Sequence, residues 1–282
     1  MYMESADLKK LQQVIGRIGI PQQPSIILEL ANEQLKEDPD FARIESIVIR
    51  DIGVAGYVLK VINSPYFSIR VRVKSIQQAL VMLGLKQINN LVTEKLLGEV
   101  LKTKNTSLTR EIWKHSRNTA LICSMLAEEI RMPFKPDKDS AYTLGLFHDC
   151  GILLLMRKVP DYMDIFSEAT NSETPLHEIE QKELGIDHHL VGYAMAQAWR
   201  LDADIADTIR EHNVFPKWES GKTASHKREL LAAILELSEV VLREESVDPG
   251  HLAFLGFREA DFQQIEERLL IRMSIEERGV DV

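Results

Sequence analysis

The sequence predicts an all-α protein, and three observations carry that expectation. Apolar residues recur at three- and four-residue steps along nearly the whole chain, and no stretch alternates polar with β-branched residues as a half-buried strand would. Asn, Asp, Pro and Gly also interrupt these stripes at helix-length intervals. With 282 residues, the chain is long enough for one large domain or two smaller ones with a substantial core.

Each element follows from local signals. Pro24 and Ser25 open a helix through IILELANEQL, which stops at Asp38-Pro39. A second covers Phe41 to about Asp51, and a third, GVAGYVLKVI, ends in Asn63-Ser64-Pro65. Ser75 and Gln78 have capping-box spacing for SIQQALVML, where the Ser side chain and the Gln side chain each satisfy an unpaired amide, and Gly84 terminates the run. Another apolar helix spans about Lys86 to Leu101. The polar stretch KTKNTS, 102–107, marks a boundary, so 1–105 is expected to form one helical lobe.

Beyond it, a long helix from about Leu108 to Ile130 leads through MPFKPDKD into a helix from about Ser140 to Arg157. Thr174-Pro175 opens a short helix that Gly185 closes, while Asp187 and Asp202 cap the next two. FPKWESGKTASH, 215–226, reads as a surface loop before a helix from Lys227 to Glu244. The expected second region is therefore 106–246, and 247–282 is a C-terminal helical extension with Phe262, Ile265, Leu269 and Met273 on one stripe.

Composition narrows the function. At 45% hydrophobic and 27% charged residues the chain is an ordinary globular sequence. A net charge of -9 argues against a direct nucleic-acid or anionic-membrane surface, because phosphate binding is driven by Lys and Arg. No apolar run approaches the ~20 residues that cross a bilayer, and the start MYMESADLKK is polar. The expectation is a cytoplasmic protein with its two cysteines, Cys123 and Cys150, reduced. Cys150 adjoins Asp149 and could be a ligand or redox-active, although a small packed residue is the ordinary role.

The chemistry-bearing residues are histidines. In GLFHDCG, His148 and Asp149 sit between small and apolar residues. His115 shares a stripe with Ile112, Thr119, Ile122 and Leu126; His188 with Val191, Met195 and Trp199; His212 with Ile205 and Ile209. His189 falls instead with Tyr193, Ala196 and Arg200 on a more polar face, and His177, His226 and His251 occupy polar or loop contexts that suit the surface. Three inward imidazoles and a His-Asp pair each need a buried partner. Either they share a divalent metal, or they are separately hydrogen-bonded core residues.

The ensemble resembles a known family. W-x-H-S at 113–116, G-L-F-H-D-C-G, G-I-D-H-H-L-V-G-Y, Trp199 and I-R-E-H at 209–212 are similar to the HDOD domain, the HD-related output domain of bacterial signalling proteins. Ile20-Pro21, Asp51, V-I-N-S-P-Y-F at 61–67 and S-I-Q-Q-A-L-V-M-L-G at 75–84 follow the same order, so the resemblance covers about 15–245. It implies an N-terminal helical lobe packed on an HD-like helical core. It also implies a regulatory or output role, with a signalling protein or a small phosphorylated ligand as partner.

Carried over from the wider HD superfamily, the resemblance implies divalent-metal ligands (Fe, Mn, Zn or Mg) at His115, His148 and Asp149, with His188 and His212 added as in HD-GYP relatives. The chain departs from the catalytic pattern at three places: Ile152 replaces a phosphate-binding lysine, Asn213 replaces a second histidine, and the late Asp is missing, with Glu239 the nearest carboxylate. Two functions follow: a signal-transduction module with a partly retained metal site, or a metal-dependent phosphohydrolase of phosphodiesterase or nucleotidase type. Whether the chain is an enzyme at all stays open. Arg or Lys side chains converging on the site would mark the enzyme, and Arg117 and Arg210 are nearest in sequence.

Overall fold

The computed structural model describes residues 16, 18–67, 69, 71–212, 224 and 226–279, and among them there are helices and no strands. MYMESADLKK, Asn213, most of FPKWESGKTASH and the side chain of Met273 lie outside the described residues. Two compact units emerge, one drawn from 1–22 and 101–259, the other from 23–100 and 260–282.

In the second of these, α1 (Ser25–Gln34), α2 (Phe41–Ile49) and α3 (Ile52–Ile62) all pack on α4 (Ile76–Val100). Asp40 and Asp51 cap α2 and α3 by accepting the amides of Arg43 and Val54, each at 3.0 Å. Gln78 N–H donates to Ser75 Oγ at 3.1 Å, while the Gln78 side chain accepts from Lys74 N–H rather than from Ser75. Gly84 breaks the helix as expected. With φ 79 and ψ 165 it is non-helical, and a second helical segment continues beyond it within α4.

The other unit begins with α5 (Thr106–Glu129), capped by Asn105, whose side chain accepts from Leu108 N–H. The expected helix from Ser140 to Arg157 is two helices, α6 (Lys138–Phe147) and α7 (Cys150–Lys158). The break falls on the His148-Asp149 pair, where Asp149 adopts φ -102 and ψ 10. Two short helices carried too little apolar pattern to be expected: α8 (Tyr162–Thr170) and α13 (Pro249–Phe254). Between them run α9 (Leu176–Leu184), α10 (His188–Ala198), α11 (Ala203–Glu211) and α12 (Lys227–Leu242); α14 (Glu259–Gly279), which from residue 260 belongs to the unit of α1–α4, closes the order. Gly185 ends α9 at φ 72, and Asp187 and Asp202 cap α10 and α11 as expected.

Two glycines set the spacing around the break. A Cβ on Gly145 would lie 2.6 Å from the backbone of Ala120, and one on Gly151 would lie 2.0 Å from the His188 carbonyl oxygen. The α6 backbone therefore rests on α5, and the α7 backbone on α10. Phe147 and Trp199 close the core beside them, their rings 5.5 Å apart, and each buried aromatic contributes roughly 1.5–3 kcal/mol. Trp199 Nε1 donates to the Pro21 carbonyl at 3.0 Å, satisfying the one polar group it buries.

Candidate metal centre

The helix break explains how adjacent residues act together. In an unbroken helix His148 and Asp149 would project about 100° apart, which separates them on the cylinder. Because the chain leaves the helix at Asp149, the carboxylate folds back and its Oδ2 lies 3.1 Å from His148 Nε2. The same Oδ2 is 3.8 Å from His115 Nε2 on α5, and Oδ1 is 3.4 Å from His212 Nε2 at the end of α11. Asp149 is thus the middle of the cluster, one oxygen facing each side.

Glu239 on α12 completes the Oδ2 side. Its Oε1 is 3.1 Å from His115 Nε2 and 3.5 Å from His148 Nε2, and it accepts the Thr119 hydroxyl at 3.1 Å. On the Oδ1 side, His188 follows Asp187 into α10, and its ring centroid is 5.5 Å from that of His212. The structure brings His115, His148, Asp149, His188, His212 and Glu239 into one locus.

The imidazoles are oriented from behind. Nδ1 of His148 meets the Gly145 carbonyl at 2.7 Å, and Nδ1 of His212 meets the Ile209 carbonyl at 2.7 Å. A carbonyl only accepts, so both Nδ1 atoms carry a proton and both Nε2 atoms face the cluster. His188 Nδ1 donates to Glu180 Oε2 at 2.6 Å, and the same oxygen accepts His188 N–H at 2.8 Å. Glu180 also accepts the Tyr162 hydroxyl and is fully buried. Nothing in the charged sequence LHEIEQKEL distinguishes Glu180 from its solvated neighbours, so sequence reasoning missed it.

His189 corrects the reading that placed it on a polar face. It is 1% exposed, and its ring centroid lies 4.2 Å from His188 and 4.0 Å from His212. His177, expected at the surface, is half-buried and stacks on His189 at 4.9 Å. The α10 stripe is wide because both of its faces are covered, and a 3.6-residue pattern alone cannot show that. His251 was also expected outside; it is 2% exposed, and its Nε2 meets the Ala233 carbonyl at 2.8 Å, in neither histidine group. His226 is exposed and caps α12.

The electrostatics favour ionised carboxylates and neutral His189 and His212, while His148 must release a proton to bind a cation. Burial works against ionising Asp149, but His148 and His212 outweigh it and hold its carboxyl well below the usual range. Glu239 is likewise lowered despite burial, through His115 and His148. Burial disfavours charge on His148, yet the Asp149 and Glu239 carboxylates raise its pKa to about 9. Burial next to other histidines drives His189 far down and His212 down, leaving both neutral. Cys150 is buried, its thiol pushed up by burial and then by Asp149, and it joins neither ligand group.

A cation fits this donor set. The ligand atoms of His115, His148 and Asp149 lie within 4.8 Å of one another, as do those of His188, His189 and His212. Nε2 of His189 and of His212 are buried without a hydrogen-bond partner. Leaving each unsatisfied costs about 1–3 kcal/mol, a penalty that coordination removes. A cavity of about 70 Å³ beside the cluster is lined by His148, Asp149, His212, Leu235, Glu236, Glu239 and Arg243. Arg210 instead lies 3.9 Å from Asp187.

The sequence pattern of the HDOD domain matches residues 20–215. The chain belongs to the HDOD domain family. This HDOD chain is 26% identical over 221 residues to an uncharacterized protein of Treponema pallidum (strain Nichols), covering 76% of this chain and 42% of that protein. It is 24% identical over 216 residues to the cyclic di-GMP phosphodiesterase CdgJ of Vibrio cholerae serotype O1, covering 68% of this chain and 49% of CdgJ. The chain thus spans less than half the length of these curated relatives. Among solved structures, an HDOD domain protein of Geobacter sulfurreducens superposes with a TM-score of 0.76 at 21% identity, covering 96% of this chain and 98% of that one. A candidate phosphohydrolase of Shewanella amazonensis SB2B gives 0.73 at 22% identity over 98% of both chains. Both share the all-α HDOD fold with this chain.

Proposed function

We propose that this HDOD domain is a signal-transduction module built round a retained HD-type metal centre. The observation that carries the reading is Asp149, whose two oxygens face separate histidine groups that include two buried Nε2 atoms without hydrogen-bond partners. His115, His148, Asp149, His188, His212 and Glu239 would hold the cation or cations; a divalent metal there supplies positive charge and Lewis acidity. The cavity size supports regulation over turnover of a large substrate. Pockets for drug-sized ligands hold roughly 300–1,000 Å³, whereas the cavity beside Asp149 holds about 70 Å³. The partner in this reading is a signalling protein or a small phosphorylated ligand, and the setting is the cytoplasm.

One observation favours a second reading, a metal-dependent phosphohydrolase. Arg243 lines the cavity and offers the cationic side chain that Ile152 withholds, which suits a phosphate group at the mouth. The similarity to a protein named a cyclic di-GMP phosphodiesterase points the same way. Metal analysis of the purified chain, followed by a panel of phosphodiester and phosphomonoester substrates with added Mn²⁺, separates the two. Bound metal without turnover supports the module; turnover that disappears in Asp149→Ala makes the chain an enzyme. Absence of bound metal under every loading condition removes both.

A further inference from the structure

The histidine on the unexpected side of α10 changes the composition of the centre. His189 Nε2 is buried, has no hydrogen-bond partner, and belongs to a ring packed between His188 and His212. His212 Nε2 likewise has none, and Glu180 occupies His188 Nδ1, so the free nitrogen of His188 is Nε2. These three imidazoles present one nitrogen each within 4.8 Å of one another. Bonds of ~2.0–2.1 Å to a tetrahedral ion place ligand nitrogens about 3.3–3.5 Å apart, so the trio needs only a modest closure to grip a cation. Asp149 Oδ1, 3.4 Å from His212 Nε2, lies beside the trio as a further donor.

We infer that His188, His189 and His212, with Asp149 Oδ1, form a nitrogen-rich cation position beside the carboxylate-rich one, and that His189 makes it selective for Zn²⁺ or Co²⁺ over Mn²⁺ and Mg²⁺. The inference rests on the metal-holding reading above. The two halves differ in chemistry: His115, His148, Asp149 Oδ2 and Glu239 Oε1 offer two nitrogens and two oxygens, the other half three nitrogens and one oxygen. Affinity of nitrogen sites rises from Mn²⁺ through Co²⁺, whereas carboxylate oxygens suit Mg²⁺ and Mn²⁺. Removing one imidazole from the trio therefore removes both a ligand and the basis of discrimination. His177 stacks on His189 from the outer side at 4.9 Å and 30°, which fixes the plane of the His189 ring without offering it a hydrogen bond.

The test uses the full chain, stripped with chelator and then loaded with Co²⁺, Zn²⁺ or Mn²⁺ alone. Metal per chain is read by plasma mass spectrometry, and Co²⁺ geometry by visible absorption. Wild type is expected to hold two Co²⁺ or two Zn²⁺ but a single tightly held Mn²⁺. His189→Phe keeps the ring and its packing without a donor; it should hold one Co²⁺, bind the second at least tenfold more weakly, lose the visible absorption that the second Co²⁺ contributes and keep its Mn²⁺. His189→Gln serves if the Phe variant fails to give a helical circular-dichroism spectrum, and His177→Phe should match wild type. Two Co²⁺ retained in the folded His189 variants, with an unchanged spectrum, overturns the assignment, as does a single Co²⁺ held alike by wild type and the His189 variants. In those outcomes the metal-holding reading survives; a wild-type chain that binds none of the three metals ends both.

Discussion

Replacing Asp149 by asparagine keeps the shape of the side chain and removes the one anion that faces both histidine groups. A ligand that binds only the folded state stabilises it by RT ln(1 + [L]/Kd), about 2.7 kcal/mol at a hundredfold excess over Kd. For a chain of this size roughly 1 kcal/mol moves the melting temperature by about 2 °C, so saturating Mn²⁺ or Co²⁺ should raise it by about 5 °C in wild type. Loss of a ligand should weaken binding at least ~10-fold, the lower end of what even indirect changes around a metal cost. The stabilisation then falls to about 1.4 kcal/mol or less at the same metal concentration, a rise of about 3 °C at most. Without metal, Asp149→Asn also removes the charge that pairs with buried His148, so the chelated variant should melt below chelated wild type, and the metal-dependent rise within each protein is the quantity compared. Differential scanning calorimetry of both proteins, each with chelator and with metal, gives four numbers. Equal melting temperatures for wild type with and without metal would refute the reasoning, whatever the variant does.

Three further outcomes follow from the geometry. Gly151→Ala places a methyl 2.0 Å from the His188 carbonyl and forces α7 from α10, so urea unfolding should show a loss of about 3 kcal/mol or more, with metal affinity falling in parallel; unchanged stability would mean the two backbones are not in contact. Glu180→Gln should weaken Zn²⁺ binding at least ~10-fold in a chelator competition, because a neutral amide no longer orients and polarises His188; an unchanged constant would assign Glu180 to packing alone. Burial lowers the His251 pKa to about 4, outweighing the Ala233 carbonyl and Asp248, whereas an unfolded histidine titrates near 6.5. The unfolded chain then binds the extra proton first, so stability is full above about pH 6.5 and falls as pH drops toward 4, by roughly 3 kcal/mol over that interval. His251→Gln should flatten this part of the stability profile, and an unchanged slope would place its origin elsewhere.

Much of the fold was legible because capping is local. Asp40, Asp51, Asp187 and Asp202 each do what their position ahead of an apolar stripe announces. Gly84 is as legible, since its positive φ breaks the helical run where glycine announces a stop. The break at Asp149 was hidden because apolar residues continue on both sides of it. At the site, periodicity found the inward faces of α5, α10 and α11, and the family resemblance supplied Glu239. His177, Glu180 and His189 escaped both, because their burial comes from elements distant in sequence: Glu180 is covered through Tyr162 and His188, and His189 through His177 and His212.

Gly145 and Gly151 bracket the His-Asp pair, and each presses its helix against a different neighbour. Mechanically the pair is the elbow of a linkage whose forearm is clamped to α10 and whose upper arm is clamped to α5. Neither arm can slide without separating backbones that touch, so a change in the angle between α5 and α10 is concentrated at one peptide junction. That junction carries the carboxylate that spans both histidine groups. A cation held there would lock the elbow from the inside, because its coordination distances would resist a displacement of either clamp.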